Sequence, residues 1–183
     1  MKKILFLSAA TVIFAAHVQA QLSMLSAKTE KRTERKAEKK ELRKLKGNVV
    51  SEASRQQFSR DFGPVTGVSW KRTVNFDEVN FKKNGKAMTA FYDDASNLVG
   101  TTSASTFANL PAKAKQFINK EYRQYNKGEV IFFDDNEKNE TDMLLFGQQF
   151  DDEDSYFVQL KKDSKAIIVR VTKGGDVTYF ARM

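Results

Sequence analysis

The 183-residue chain contains no cysteine and a single histidine, His17. Without cysteine it forms no disulfide, has no thiol chemistry and cannot be anchored by a lipid on an N-terminal cysteine. If His17 is removed with a leader, the rest lacks the usual zinc ligands and the common proton shuttle of neutral pH. It also lacks the base of Ser-His and Cys-His nucleophilic catalysis. The sequence therefore predicts a protein that is not an enzyme, with no catalytic residues, no cofactor and no assigned metal site.

Long apolar runs are also lacking, except at the N-terminus. Lys2 and Lys3 precede the apolar run 4–16, and small residues surround Ala20. This order is typical of a secretory signal peptide, and the run is too short to span a bilayer. We predict a signal peptide at residues 1–20, cleaved after Ala20. The mature chain is then expected in the periplasm or outside the cell, without a transmembrane segment.

The positive charge is concentrated in one segment. Residues 28–46 hold ten basic and four acidic side chains, whereas residues 47–183 hold nineteen of each sign. We interpret residues 21–47 as a basic arm, helical or disordered, because its few apolar positions cannot bury a helix face. A functional alternative is that residues 28–46 contact anionic surfaces and tether the protein to the cell envelope. The neutral remainder argues against specific nucleic-acid binding.

One phrase occurs twice in the chain. FKKNGKA at 81–87 returns as LKKDSKA at 160–166, an offset of 79 residues. Each copy reads as a β-hairpin, and Asn84-Gly85 suits a type I′ turn. Each hairpin belongs to a series of strands that follows a predicted helix, at 50–62 and from Leu110-Pro111 onward. We predict an α+β fold of two tandem αββββ repeats, about 50–106 and 107–183, with both helices packed on one face of an antiparallel sheet.

Counting outward from the two turns assigns the side chains to faces. The inner face, predicted to lie under the helices, comprises apolar positions: Val79, Phe81, Met88, Ala90, Tyr92, Tyr156, Val158, Leu160, Ile167, Val169 and Val171. The outer face is expected to be open, and we predict that five of its residues bind a partner: Phe91, Phe157, Gln159, Ile168 and Arg170. Aromatic and arginine side chains on an uncovered surface are frequent interface anchors. A purely structural alternative is a cross-strand stack of Phe157 with Arg170.

Several stretches together resemble a known family. They are the helix at 50–62, Val68-Ser69-Trp70, the Asn84-Gly85 hairpin, Ala90-Phe91-Tyr92-Asp93, and Leu110-Pro111 leading to Ile118 and Tyr122. This set is similar to the PepSY-like proteins with a β-lactamase-inhibitor-like fold, which are exported proteins of Bacteroidetes. The resemblance covers about residues 50–183, nearly all of the presumed domain at 48–183. It implies a periplasmic or secreted α+β domain whose motifs are structural, so it supplies no catalytic residue.

Two acidic stretches, 134–137 and 151–154, could supply clustered carboxylates for calcium if they lie side by side. They lack the spacing of an EF-hand, and solvated loops are the simpler interpretation. Three function hypotheses follow from the sequence. The first is an exported, non-enzymatic binding or inhibitor-like domain that takes a protein or peptide of the cell envelope. The alternatives are an envelope-associated protein tethered by its basic arm, and a calcium-dependent binding module.

Overall fold

The computed structural model describes residues 43–183. The predicted signal peptide and most of the predicted basic arm therefore lie outside the described residues. The described part contains two α-helices, one short 3-10 helix at Phe107–Asn109 and ten strands. Their bounds are α1 Glu52–Phe62, β1 Thr66–Arg72, β2 Asp77–Lys83, β3 Lys86–Tyr92, β4 Leu98–Ser105, α2 Ala112–Glu121, β5 Asn126–Asp135, β6 Met143–Leu145, β7 Gln148–Phe150, β8 Ser155–Lys162, β9 Lys165–Thr172 and β10 Val177–Arg182.

Eight of these strands form one antiparallel sheet in the order β1-β2-β3-β4-β5-β8-β9-β10. The first four strands follow α1, and the other four follow α2. The predicted fold of two tandem αββββ units is therefore confirmed. The second unit differs from the first by an insertion between β5 and β8, where β6 and β7 pair as a separate hairpin. Phe146 and Gly147 turn the chain with positive φ, so residues 143–150 form this hairpin and not one continuous strand.

The two helices begin and end as their sequences direct. The hydroxyl of Ser51 accepts a hydrogen bond from the Ala53 amide at 3.2 Å and so caps the start of α1. Gly63, with φ of +63°, ends it. Pro111 stands immediately before α2, where its missing N–H is not needed. Neither helix within residues 43–183 has the length and hydrophobicity required to cross a bilayer.

The registers of the two repeated hairpins match the sequence prediction. Phe81 pairs with Met88 in the first hairpin, and Leu160 pairs with Ile167 in the second. Asn84 and Gly85 have φ values of +53° and +77°, as a type I′ turn requires. Because register decides which side chains share a face, these two turns place both sets of apolar side chains on the inner face.

Each helix covers the inner-face residues of its own repeat. The aromatic residues of α1, Phe58 and Phe62, pack on β2 and β3, and the ring centroids of Phe58 and Phe81 lie 5.0 Å apart. Ala114 and Ile118 of α2 are fully buried in a cluster that includes these strand residues: Val130, Val158, Leu160, Val169 and Val171. The predicted arrangement of two helices on one face of the sheet is confirmed.

Residues 43–46, the described end of the predicted arm, lie against the turn between β1 and β2. The Leu45 amide donates to the Val74 carbonyl at 2.8 Å, and the Arg72 guanidinium donates to the Lys46 carbonyl at the same distance. Arg43 forms an exposed ion pair with Asp94 at 3.6 Å. These residues adopt no helix. The tether hypothesis depends mainly on residues that lie outside the described part and stays a prediction.

Candidate binding surface

The inserted β6–β7 hairpin lies over part of the outer face of the sheet. Met143 and Phe150, one from each strand of the hairpin, are buried against side chains from six strands of the large sheet and from the β1–β2 turn. The resulting set, called the hairpin cluster below, consists of Phe76, Phe91, Val99, Phe133, Met143, Phe150, Phe157, Ile168 and Ala181. The outer face is consequently not open along its whole length.

This cover corrects the predicted binding site. Phe91, Phe157 and Ile168 retain only 5%, 1% and 2% of their exposure, so a partner cannot touch them in this conformation. The expectation that they lie on an open face was wrong because a segment remote in sequence folds over them. Gln159 and Arg170, the other two predicted residues, are half-buried. Of the five residues predicted to bind a partner, three therefore belong to the core, and a partner could still reach the other two.

Arg170 is held by several neighbours. It pairs with Phe157 across β8 and β9 as predicted. Its guanidinium, however, lies 4.8 Å from the ring centroid of Phe150, which is the aromatic residue of the inserted hairpin. Arg170 also donates to the Ser155 hydroxyl at 2.9 Å and to the Glu153 carboxylate at 2.8 Å. The contact with Phe150 joins the hairpin to the sheet, and the three contacts together favour a structural role for Arg170.

The uncovered part of the outer face forms a groove across β1 to β5, with a volume of about 560 Å³. We call it the outer groove. Its outward-facing side chains are mostly small or polar, and those on its floor are Asn80, Ala87, Thr89, Thr102, Ala104 and Ile131. The Thr89 hydroxyl donates to the Asn80 side-chain oxygen at 2.7 Å. Lys82 and Glu129, of opposite charge, also line the groove.

The outer groove borders the hairpin cluster, and Gln159 of the predicted site lies on β8, the strand next to β5. Ile131 lines the groove and packs against the hairpin cluster. Gln159 lies beside Gly128, close enough that a Cβ on Gly128 would approach its side-chain oxygen to 2.5 Å. Counting outward from the Asn84-Gly85 turn places Asn80, Lys82 and Thr89 on the outer face. Their residue types give no sign of a binding site, because none is aromatic and they form no cluster of like charge.

The two acidic stretches do lie side by side. The Asp135 amide donates to the Asp154 carboxylate at 2.8 Å. Burial, together with the neighbouring carboxylates of Asp152 and Asp154, raises the pKa of Asp135 to about 7. Lys173 forms an ion pair with Asp154 and so supplies a cation at this point. Among residues 43–183, no three acidic side chains are arranged to hold a metal ion. The calcium hypothesis therefore gains no support from this geometry.

The features above define a class of protein: two αββββ units sharing one antiparallel sheet, with helices on the inner face and a partly covered outer face. The helices and the sheet of two tandem units correspond to the β-lactamase-inhibitor-like fold. Among solved structures, the chain is similar to a DUF2874 family protein from Bacteroides uniformis ATCC 8492. The TM-score is 0.60 at 12% identity, over 73% of this chain and 90% of that one.

Two further solved structures have the same fold. A BLIP-like protein from Bacteroides fragilis NCTC 9343 matches with a TM-score of 0.56 at 14% identity, over 75% of this chain and 89% of that one. A candidate periplasmic protein from Bacteroides eggerthii DSM 20697 matches with a TM-score of 0.59 at 13% identity, over 73% and 89%. No family model matches the sequence, and no curated protein matches it either. At these identities the likeness shows the fold, and the predicted fold is confirmed.

Proposed function

We propose that the chain is an exported, non-enzymatic binding module that holds a segment of another protein of the cell envelope in the outer groove. The observation that carries this proposal is the groove itself, a concavity with a volume of about 560 Å³ on five paired strands. Paired strands form a rigid scaffold, so the groove is largely preorganised and loses little conformational entropy on binding.

The side chains of the groove indicate the kind of partner. Ala87, Ala104 and the threonines Thr89 and Thr102 are short, so they let another backbone approach the sheet closely. The floor is neither strongly apolar, as a lipid site would require, nor uniformly basic, as a nucleic-acid site would require. A protein segment with mixed polar and apolar side chains matches this surface best.

The comparisons give this proposal indirect support. One match is named a BLIP-like protein and another is described in connection with the periplasm. The periplasmic description fits the signal peptide that the sequence predicts, and the BLIP-like description fits a binding module. The groove occurs on the face away from the helices, which leaves α1 and α2 free to stabilise the sheet from behind.

The proposal is tested by blocking the groove with Thr89→Arg, which places a long charged side chain on its floor. The matched control is Thr178→Arg, the same change at an exposed position on β10. Immobilised chains are incubated with an envelope extract, and the captured protein is identified, purified and titrated. We expect the unmodified chain and the control to bind it equally, and Thr89→Arg to bind at least tenfold more weakly. Equal binding by Thr89→Arg at unchanged melting temperature would contradict the outer groove as the site.

A further inference from the structure

A second concave site lies on the other side of the sheet, beside α1. Its walls are the C-terminal half of α1 and the loop between β5 and β6, and the start of β4 forms its base. Its volume is about 590 Å³, within the range of small-molecule sites. We call it the helix-side pocket. It shares no residue with the outer groove.

The loop wall of the helix-side pocket is held in place by buried hydrogen bonds. The side-chain amide of Asn139 donates to the Asp93 carboxylate and to the Leu98 carbonyl, both at 3.1 Å, and its oxygen accepts from the Thr141 amide. Asn136 donates to the same Leu98 carbonyl at 2.7 Å. Two asparagines thus fasten the loop to β4, so the pocket is present before any ligand arrives.

The helix wall presents a carboxylate that still has acceptor capacity. Asp61 accepts from the Tyr92 hydroxyl at 3.0 Å and from the Gln57 amide at 2.8 Å. Burial raises the pKa of Tyr92, so its hydroxyl keeps the proton and remains a donor. A carboxylate offers about four lone-pair sites, so Asp61 can accept further hydrogen bonds from a ligand.

Three other polar groups of the pocket have no partner within the described residues. Lys138 and Glu140 are exposed and form no ion pair there, and the side-chain amide of Asn97 makes no hydrogen bond. Seven of the nine lining residues are polar, which disfavours an apolar ligand. Two carboxylates against one ammonium disfavour a phosphate or another anion. What remains unmatched is a set of donors and acceptors that line the same pocket.

We propose that the helix-side pocket binds a neutral, hydroxyl-rich ligand, namely a segment of an oligosaccharide. A sugar hydroxyl donates and accepts at the same atom, so it can bridge Asp61 or Glu140 on one side and Lys138 or Asn97 on the other. Neutral hydroxyls also avoid the desolvation cost that a charged ligand would incur here. Phe62 and Leu98 supply a small apolar surface for the C–H side of a sugar ring.

The test uses three neutral probes, maltotriose, mannotriose and N,N′-diacetylchitobiose, with the purified full chain and saturation-transfer NMR followed by calorimetric titration. We expect at least one probe to bind. Asn97→Ala and Glu140→Ala should each weaken its affinity by about fivefold to tenfold, because each removes one hydrogen-bonding group that the ligand would use. Both positions are exposed, so the melting temperature should stay constant.

Two controls give the test its specificity. Thr89→Arg in the outer groove should leave saccharide binding unchanged, so failure here and failure of the proposed function are distinguishable. Glucose 6-phosphate should bind no better than glucose. The proposal is overturned if none of the three probes binds at millimolar concentration, if both pocket variants bind like the unmodified chain, or if the phosphate ester binds more tightly.

Discussion

The ring of Phe150 lies edge-on to the ring of Phe157, with centroids 5.0 Å apart and an interplanar angle of 63°. Phe150 belongs to the inserted β6–β7 hairpin, whereas Phe157 belongs to β8 of the large sheet. Phe180 of β10 packs on both, at 5.7 Å and 4.8 Å. This contact makes the insertion part of the core. It also divides the outer face into a covered part and an open groove.

Replacing either ring by alanine should destabilise the protein strongly. Phe150→Ala and Phe157→Ala each remove a buried aromatic side chain and leave a cavity, so we expect each to lower the free energy of unfolding by about 3–4 kcal/mol. Urea denaturation measures the loss. Tyr179→Ala, at a position 60% exposed, is the control and should change stability by less than about 0.5 kcal/mol. A stable, fully folded Phe157→Ala would mean that the hairpin does not cover the sheet in solution.

The buried ion pair of Arg72 with Asp77 should matter most when only one partner is removed. Asp77 is fully buried and accepts two bonds from Arg72, at 2.7 and 2.6 Å, and one from the Ser51 amide. Asp77→Asn leaves a nearly buried guanidinium without its counterion, so we expect a loss of about 3 kcal/mol. Arg72→Met combined with Asp77→Asn should lose less than the sum of the single changes. Additive losses in urea denaturation would count against the coupling.

The ion pair of Arg72 with Asp77 should make the folded protein less stable in acid. Burial raises the pKa of Asp77, but the hydrogen bonds from Arg72, Ser51 and Ser54 together outweigh it and hold the pKa below its usual range. The unfolded chain then binds more protons than the folded one at low pH. The stabilisation is complete above about pH 4, the unfolded pKa, and is lost as pH falls through the folded pKa. Melting temperatures between pH 2 and 6 should fall less steeply for Asp77→Asn than for the unmodified chain.

Asp135 predicts the opposite dependence on pH. Because its pKa is raised to about 7, the folded chain binds more protons than the unfolded one between about pH 4 and pH 7. The stabilisation from this group is complete below about pH 4, the unfolded pKa, and has been lost once the pH rises past about 7, the folded pKa. Asp135→Asn should therefore be more stable than the unmodified chain at pH 8, by about 1 kcal/mol after allowance for solvent screening. The two should melt alike at pH 4.

The exposed change Glu129→Gln, on the same strand, is the control for Asp135→Asn and should show no comparable gain at pH 8. One carboxylate oxygen of Asp135 is buried and has no hydrogen-bond partner among residues 43–183, and an asparagine amide removes the charge at that position. Equal or lower stability of Asp135→Asn at pH 8 would show that the ionised carboxylate is accommodated.

Gly100 should tolerate no side chain. A Cβ at this position would lie 2.6 Å from the ring of Phe133 and 2.7 Å from the Asp134 carbonyl oxygen. Gly100→Ala should therefore lower the free energy of unfolding by about 2–3 kcal/mol, as overpacked cores do. Adding Phe133→Leu should recover less than the full loss, because the carbonyl contact persists. Thermal unfolding checks both variants, and an unaffected Gly100→Ala would show that β4 and β5 can separate at little cost.

The inner face was predictable because its cause is local. A type I′ turn at Asn84-Gly85 sets the register of its two strands, and alternation then sends Phe81 and Met88 to the same side. The same reasoning worked for Leu160 and Ile167. The helices could be placed over this face because the apolar side of each helix and the apolar face of the sheet are both removed from water when they pack together.

The covered outer face was not predicted, although the sequence contained a signal. Phe157 and Ile168 occupy outer positions of the second repeat, while Glu78 and Thr89 stand at the matching positions of the first. At these two pairs of equivalent positions only the second repeat is apolar, which indicates a cover over its part of the outer face. The short apolar run Met143-Leu144-Leu145 could have supplied it.

The sequence by itself determined the two repeats, their hairpin registers and the face under the helices, since these depend on turns and on side-chain alternation within a few residues. Only the tertiary structure decided that residues 143–150 fold back across the sheet, which buries Phe91, Phe157 and Ile168 and leaves a groove and a pocket elsewhere. That choice depends on contacts between segments far apart in the chain, and no local pattern specifies which surface such a segment will find.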